Sequence, residues 1–398
     1  MPYPQRQRGS EKQGVSIGRK RANIARQAAA ALDVCDGKRG STILADVPSA
    51  PPGEREKRLL QGLLPHAEDV TKPCMEAEYT RLDFHRPELR AAALHTRLAT
   101  AVARSANAAK WEPVQLSAQV RKAPGGTAIQ SGHIKKIGAQ HRSAWAVLNE
   151  AIECRAVPVR VRLMLTSPFV NQLLKRDAAR RYSEHSKTRP IGLTESLVQD
   201  ALRHRASRAA KVLACVLPLF GQSAVGVKAG GESAQGAAQA RCDMSMHTVT
   251  IAIDFANAFG LLDNELTLHC LVAIMDLIGA DARTRTALRA AEIPMEEAAA
   301  DIEFMKDDLV WTRTVLFYCL TVVEGRMQWI EPNIGETQGG LFSALRYVIA
   351  KAMAVDRPLG IEFPGFIMRS IVDDGICQVH VSCAADCERI VQWMKRLG

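Results

Sequence analysis

Residues 248–259 read TVTIAIDFANAF, in which an apolar, largely β-branched run ends at a single carboxylate, Asp254. Short runs of this composition favour strands. The pattern predicts a strand over 249–253 with Asp254 at its end, followed by a helix that stops at Gly279. The apolar side of that helix is predicted to comprise Leu268, Leu271, Ile274, Met275 and Ile278.

A second carboxylate motif lies in residues 366–381, FIMRSIVDDGICQVHV. Alternating apolar residues flank Asp373-Asp374, which predicts a hairpin with Gly375 as its tight-turn glycine. Two carboxylates this close repel each other unless cations neutralise them, which indicates a metal site. A solvated Asp-Asp-Gly turn is the alternative. The other adjacent pair, Asp307-Asp308, is what chance predicts and has no comparable context.

The two motifs form one site if their strands are neighbours in an antiparallel sheet. Asp254 would then lie beside the hairpin and supply the third carboxylate of a two-cation site. Joining a nucleotide to a growing strand requires carboxylates that hold two divalent cations roughly 3.5–4 Å apart. We therefore expect the two strands to pair.

Three further segments carry residues suited to nucleotide contact. Gln338-Gly339-Gly340 precedes a helical pattern, where free backbone N–H groups and absent side chains let a substrate come close. Residues 187–191, KTRPI, place Lys187 and Arg189 just before a helical stretch, as a grip on a triphosphate. The glycine-rich string 222–232 suits close approach of a template strand. Each pattern alone is also common without such a function.

Composition divides the chain into three parts. Residues 1–53 combine basic, Gly, Ser and Gln residues with a proline cluster, which predicts a flexible arm that contacts nucleic acid, acts as a nuclear address or is simply solvated. Residues 54–150 have helical spacing and predict a helical extension. Residues 151–398 alternate short apolar runs with helices, which favours an α+β domain, with an inserted helix pair over 280–308. One helix side in the extension is predicted to comprise Leu89, Ala93, Leu94, Leu98 and Val102.

The 398-residue chain has a formal net charge of +10, from 52 Lys+Arg against 42 Asp+Glu. This balance favours a polyanionic partner such as nucleic acid, although a solvated basic surface has the same composition. The ten cysteines include no CxxC pair, so neither a zinc knuckle nor a disulfide framework is indicated. The apolar run 212–220 is far shorter than the roughly 20 residues that cross a membrane, and an intracellular, nuclear chain is expected.

In their order along the chain, these segments resemble the reverse transcriptase domain of non-LTR retrotransposons. The resemblance covers about 154–398. It rests on Thr188-Arg189-Pro190-Ile191, the 222–232 string, residues 254–259, Thr337-Gln338-Gly339 and Val372-Asp373-Asp374-Gly375. It implies a right-hand polymerase with fingers and an antiparallel palm sheet. It also implies RNA-templated DNA synthesis, with an RNA template, a DNA primer and dNTPs as partners.

The resemblance assigns roles to single residues. Two Mg²⁺ or Mn²⁺ ions would be held by Asp254 and Asp373, with Asp374 beside them, as the catalytic carboxylates. Phe259 would leave no volume for a ribose 2′-hydroxyl, which favours deoxynucleotides over the substrates of an RNA polymerase. The other implied contacts are Gln338 and Gly339, which face the incoming nucleotide, and Lys187 and Arg189, which approach its phosphates.

Some positions depart from the family pattern. Ile371 stands where many relatives have an aromatic residue, and Gly340-Leu341 replaces an acidic-proline pair. The sequence ends ahead of the primer grip and thumb, so a C-terminally truncated core is expected. Two alternatives stay open: an inactive remnant that binds RNA without catalysis, and a metal-dependent phosphotransferase or nuclease, which gives no reason for Phe259 or Gln338.

Overall fold

The computed structural model describes residues 87–106, 129, 132–133, 141–174, 188–223, 225–227, 229–255, 257–313, 318–321, 327–330 and 335–397. Helices dominate, together with a small antiparallel sheet and a mixed sheet, so the predicted mixture of helices and strands is confirmed. The basic arm predicted over 1–53 and Lys187 lie outside the described residues. No described helix is long and apolar enough to cross a membrane.

The elements before the second carboxylate motif are, in chain order, α1 (Pro87–Ser105), α2 (Arg142–Glu153), α3 (Val159–Thr166), β1 (Phe169–Leu174), β2 (Thr188–Leu193), α4 (Ser196–Val216), a 3₁₀ turn (Leu217–Phe220), α5 (Gly230–Met244), β3 (Thr248–Ile253), α6 (Asn264–Ala280), α7 (Ala282–Ala290), α8 (Met295–Arg313), β4 (Tyr318–Thr321) and β5 (Met327–Ile330). The remaining elements are α9 (Ser343–Lys351), a π-helical turn (Ala352–Asp356), α10 (Arg357–Glu362), β6 (Ile367–Ile371), β7 (Asp374–His380) and α11 (Ala384–Leu397).

The three-stranded sheet carries both carboxylate motifs. Its order is β3-β7-β6, and both pairings are antiparallel. Ile253 lies opposite Gly375, and Ile371 lies opposite Asp374. The predicted strand before Asp254 is confirmed, and it begins one residue earlier than expected. The expected pairing of the two strands is confirmed as well.

A four-stranded sheet has the order β2-β1-β4-β5. Its pairings are antiparallel except for that of β1 with β4, which is parallel. The Thr-Arg-Pro-Ile segment lies in β2, and helix α4 begins three residues after this strand ends. Pro190 is compatible with a strand here because, among the described strands, β2 lies at the edge of its sheet and pairs only with β1.

The main hydrophobic core lies between α4, α6, α8 and α9. The predicted apolar side of α6 is confirmed for its buried members, Leu268, Leu271, Ile274 and Ile278. The helix pair predicted over 280–308 is present as α7 and α8. Helix α6 extends one residue past Gly279 and ends before Asp281, whose side chain accepts a hydrogen bond from the Thr284 N–H and so begins α7.

The predicted packing side of α1 is confirmed only in part. Leu94 packs against a buried cluster in which Ala101 contacts Ala151 on α2, whereas Leu98 and Val102 are exposed. Small residues such as these two alanines allow two helices to approach closely. Helix α2 runs across the boundary predicted at residue 150.

Candidate active site

The three predicted catalytic aspartates lie at one end of the β3-β7-β6 sheet. Asp254 directly follows Ile253, which pairs with Gly375, so continuation of the same register places Asp254 opposite Asp374. Adjacent strands are about 4.8 Å apart. Asp254 and Asp374 are exposed, and Asp373 is half-buried. Asp254 and Asp374, which are 120 positions apart in the sequence, are therefore neighbours in the fold.

The hairpin turn differs from the prediction. Its two turn residues are Val372 and Asp373, whereas Gly375 lies within β7. The positive φ of the turn, 55°, falls on Val372. A β-branched residue in this conformation costs on the order of 1–3 kcal/mol. The assignment of Gly375 as the tight-turn glycine was wrong: it is the second residue of β7, where a Cβ would be in ordinary van der Waals contact with the Ile253 Cβ and the Lys351 Nζ, at 3.4 Å from each.

Tyr347 of α9 connects the aspartates to Phe259. The rings of Tyr347 and Phe259 stack, with centroids 4.9 Å apart and an interplanar angle of 27°. Burial raises the pKa of the Tyr347 hydroxyl well above its usual value, and nearby negative charges raise it further. Those charges belong to Asp373, Asp356, Asp254 and Asp374. One buried tyrosine thus contacts the ring of Phe259, and the charges of all three predicted catalytic carboxylates raise its pKa.

A buried lysine lies beneath the hairpin turn. Lys351 Nζ donates to Ser370 Oγ at 2.7 Å and to the main-chain carbonyl of Asp374 at 3.1 Å. Ser370 Oγ donates in turn to Asp356 Oδ2 at 2.9 Å. The π-helical turn brings Lys351 and Asp356, five residues apart, to one side of the helix. Lys351 therefore fixes the backbone at the point where β7 begins.

The pKa values of this buried pair shift in opposite directions. Burial lowers the pKa of Lys351, and the charges of Asp356, Asp373 and Asp374 only partly offset that effect. Burial raises the pKa of Asp356, against the opposing effects of Lys351 and of the Ser370 hydrogen bond. Both shifts have the direction that desolvation of a charged group produces.

The glutamine-glycine loop packs against the turn that carries Phe259. The Glu336 N–H donates to the Phe259 carbonyl at 2.6 Å, and the Gly335 N–H donates to the Leu262 carbonyl at 2.7 Å. Gly335 has a φ of 93°, and a Cβ there would overlap the Gly260 carbonyl oxygen. Only glycine permits this approach. The loop predicted to face the nucleotide is thereby fixed beside the predicted sugar-facing ring.

Strand β2 contacts the other side of the same loop. The Gly192 N–H donates to the Gln338 carbonyl at 2.7 Å. Gly339 has a φ of 106°, and a Cβ on it would lie 2.6 Å from the Gly192 carbonyl oxygen. Gln338 is half-buried and Gly339 is exposed. The backbone of Arg189 lies in β2, three residues before Gly192. The phosphate contacts expected of Lys187 and Arg189 involve atoms outside the described part of the chain and stay predictions.

A buried charge cluster anchors this loop, and sequence reasoning missed it. Arg346 of α9 donates to both carboxylate oxygens of Glu336, at 2.6 and 3.1 Å, and to Asp308 Oδ2 at 3.0 Å. Ser343 Oγ donates to Glu336 as well, at 3.0 Å. Burial lowers the pKa of Arg346, but the charges of Glu336 and Asp308 outweigh it, so the net shift is upward. The sequence feature that could have indicated this cluster is Arg346, an arginine within the apolar pattern of α9.

The glycines of the 222–232 string pack against the protein's own backbone. A Cβ on Gly226 would lie 2.5 Å from the Ala210 carbonyl oxygen, and one on Gly230 would overlap the Ser223 carbonyl. The close approach that these two glycines permit is therefore intramolecular. Contact of the string with a template strand stays a prediction.

The donor set of the site fits a hard divalent cation. Carboxylate oxygens are the ligands that Mg²⁺ and Mn²⁺ prefer, and Asp254, Asp373 and Asp374 supply them at one sheet end. Among residues 87–397, as far as they are described, no three Asp, Glu, His or Cys side chains converge closely enough to form a ready-made metal site. Strand register brings the aspartate backbones together, and their function as metal ligands stays a prediction.

No family model matches the chain, and no curated protein matches it. Among solved structures, the chain is similar to apo telomerase from Candida tropicalis truncated from the C-terminal domain, with 12% identity and a TM-score of 0.38 over 58% of this chain and 46% of that one. It is also similar to telomerase from Candida albicans in complex with a TWJ fragment of telomeric RNA, with 10% identity and a TM-score of 0.38 over 59% of this chain and 41% of that one. The matched region spans less than half of either telomerase, and at this similarity neither one assigns an activity to the chain.

Replacement of Arg346 by Met is expected to destabilise the fold by about 3–5 kcal/mol, because Glu336 and Asp308 would be left buried without their cation. Urea denaturation measures the free energy of unfolding. The matched control is Arg396→Met, which breaks an exposed pair with Glu362 and should cost at most about 1 kcal/mol. Equal losses in both variants would contradict the structural importance of the buried cluster.

Alkaline titration tests the environment of Tyr347. Since its pKa is raised above the value of 10 that applies to the unfolded chain, the unfolded state loses this proton first as the pH increases. The free energy of unfolding should therefore fall as the pH rises above about 10. In Tyr347→Phe, this fall should be smaller by up to about 1.4 kcal/mol per pH unit. Identical alkaline profiles for the two proteins would show that Tyr347 is not shielded.

Proposed function

We propose that the chain is an RNA-templated DNA polymerase that transfers deoxynucleotides from dNTPs to the 3′-hydroxyl of a primer. The observation that supports this best is the register of β3 on β7. With this register, Asp254 lies next to the Asp373-Asp374 turn. The strand that begins at Asp374, β7, pairs with β3 on one side and with β6 on the other. The RNA template, the DNA primer and the dNTPs belong to the proposal.

The three aspartates would provide the acidic ligands of the reaction. Asp254 and Asp373 would hold two divalent cations, and Asp374 would lie beside them. When bound, such cations lower the pKa of the attacking hydroxyl and stabilise charge on the α-phosphate and the leaving pyrophosphate. The contribution of the chain would be to hold the three aspartates together, because Asp254 directly follows β3, Asp374 begins β7 and Asp373 lies in the two-residue turn between β6 and β7.

Phe259 would select the sugar. Its ring is half-buried and rests on the buried ring of Tyr347, so it has little freedom to move away from a bound nucleotide. A ring in this place would exclude an additional oxygen at the 2′ position. Gln338 and Gly339 would face the incoming nucleotide beside Phe259, since their loop is hydrogen-bonded to the Phe259 turn and to β2.

A metal-dependent nuclease or phosphotransferase would use the same aspartates. Neither activity requires an aromatic ring that excludes a 2′-hydroxyl, nor a loop packed between that ring and β2. The joint placement of Phe259 and Gln338 therefore favours nucleotide incorporation. The alternative hypothesis, an inactive remnant that binds RNA, is tested by the primer-extension experiment described next.

Primer extension on an RNA template with dNTPs and Mg²⁺ tests the proposal directly. Asp373→Asn is expected to lower the rate of incorporation by roughly a thousandfold or more, because loss of one ligand charge removes several kcal/mol of transition-state stabilisation. The matched control is Asp276→Asn, an exposed aspartate on α6, which should incorporate at the wild-type rate.

The outcomes separate the hypotheses. Wild-type incorporation in Asp373→Asn would contradict the proposed active site. RNA binding by the wild-type chain at several salt concentrations, with no incorporation by it, would favour the inactive remnant. Cleavage of RNA or DNA that depends on Asp373 and occurs without incorporation would favour the nuclease.

Phe259→Ala is expected to relax sugar selection. The ratio of kcat/KM for a dNTP to that for the matching ribonucleotide should fall by about ten- to a hundredfold, since removing the ring opens volume for a 2′-hydroxyl. A ratio is insensitive to a general loss of stability. The control is Phe363→Ala, which empties a buried position in the separate cluster around Trp393 and should leave the ratio unchanged. An unchanged ratio in Phe259→Ala would contradict the assigned role.

A further inference from the structure

The hairpin turn that carries Asp373 contacts a side chain from a distant segment. Gln222 follows the 3₁₀ turn after α4, and its side chain is almost fully buried, at 1% exposed. Its Nε2 donates to the Val372 carbonyl at 3.3 Å, and its Oε1 accepts from the Val372 N–H at 3.1 Å. One primary amide thus exchanges two hydrogen bonds with one backbone residue, as paired residues do in an antiparallel ladder.

This reciprocal contact fixes the backbone on both sides of Val372. The N–H belongs to the peptide plane before this residue and the carbonyl to the plane after it, so the two bonds together restrict its φ and ψ. Val372 needs such a restraint because its φ of 55° is disfavoured for a β-branched residue. The plane after Val372 leads directly into Asp373.

Gln222 is itself held firmly. The Ser370 N–H donates to the Gly221 carbonyl at 2.8 Å, and the Ser223 N–H donates to the Ser370 carbonyl at 2.9 Å, so the segment pairs with β6 in parallel. Gly221 has a φ of 85°, and a Cβ there would overlap the Met368 carbonyl oxygen. The amide therefore projects from a segment that is paired along the outer edge of the sheet.

We propose that Gln222 is a positioning residue that holds the Val372-Asp373 turn in the conformation in which Asp373 can bind a divalent cation with Asp254. This inference rests on the proposed function for the cation, but the contact between Gln222 and Val372 does not. Gln222 would act through Val372, to which its amide is hydrogen-bonded. In the sequence, Gln222 is the first residue of the glycine-rich string 222–232, and nothing there indicates its contact with Val372.

The experiment uses the full chain and compares Gln222→Met with the wild type. Methionine keeps the approximate length and volume of glutamine but neither donates to nor accepts from Val372. The matched control is Gln378→Met, because Gln378 is also fully buried and lies in β7, where its Nε2 donates to the Ala238 carbonyl at 2.9 Å rather than to the turn. Gln222→Asn, whose amide is one methylene too short, is a second variant in case the methionine protein does not fold.

Two measurements are made on each protein. Hydrogen exchange of the Val372 amide should become about five- to tenfold faster in the Gln222 variants, the factor that corresponds to one hydrogen bond of ordinary strength. Mn²⁺ binding, followed by electron paramagnetic resonance, should weaken about tenfold or more, and the Mg²⁺ concentration for half-maximal incorporation should rise with it. Gln378→Met should change neither quantity.

The outcomes test separately the restraint of Val372, the positioning role of Gln222 and the proposed function. Unchanged exchange at Val372 in the Gln222 variants would overturn the proposed restraint. Faster exchange with unchanged Mn²⁺ affinity would overturn the positioning role. Equal weakening of Mn²⁺ binding in Gln378→Met would also overturn it, since the effect would then be general. Absence of both Mn²⁺ binding and incorporation in the wild type would contradict the proposed function, and Val372 exchange would still decide whether Gln222 restrains the turn.

Discussion

The antiparallel pairing of β3 with β7 is the constraint on which the candidate site depends. With Ile253 opposite Gly375, the chain leaves β3 at the level of the hairpin turn, and Asp254 lies beside Asp374. A slip of one residue would turn every side chain of one strand to the other face. The register is observed over the six residue pairs from Thr248–His380 to Ile253–Gly375.

Two buried charge clusters lie under the two halves of the site. Lys351, Ser370 and Asp356 support the aspartate turn from below, and Arg346 with Glu336 anchors the loop that carries Gln338. Buried ion pairs add little net stability compared with apolar residues, but breaking one is costly. The two cations, Arg346 and Lys351, both lie on α9. This one helix therefore contacts both the segment that carries the aspartates and the loop that carries Gln338.

Local patterns in the sequence were enough to predict the elements that carry the motifs. The strand before Asp254, the apolar side of α6 and the helix pair α7 and α8 each depend on alternation or on helical spacing, which neighbouring residues determine. The hairpin was also predictable, but not its turn: the left-handed residue is Val372, whose backbone is hydrogen-bonded to Gln222, 150 positions away in the sequence.

Features that depend on distant contacts were not predictable. Asp308 belongs to an aspartate pair that chance explains, yet it is buried against Arg346 on another helix. The side of α1 that packs was predicted only in part, since Leu94 and the small Ala101 are in the contact while Leu98 and Val102 are exposed. The proximity of Asp254 to Asp373 was an expectation from motif order, and the sheet register supplies the physical reason for it.

The most direct test of the central claim is the position of Mn²⁺ in crystals of the full chain grown with the ion and a dNTP, located by anomalous diffraction. The account predicts Mn²⁺ within about 2.0–2.6 Å of carboxylate oxygens from both Asp254 and Asp373, the range found for hard divalent cations. Mn²⁺ bound elsewhere, or bound by only one of these two aspartates, would contradict the claim that they share a metal site.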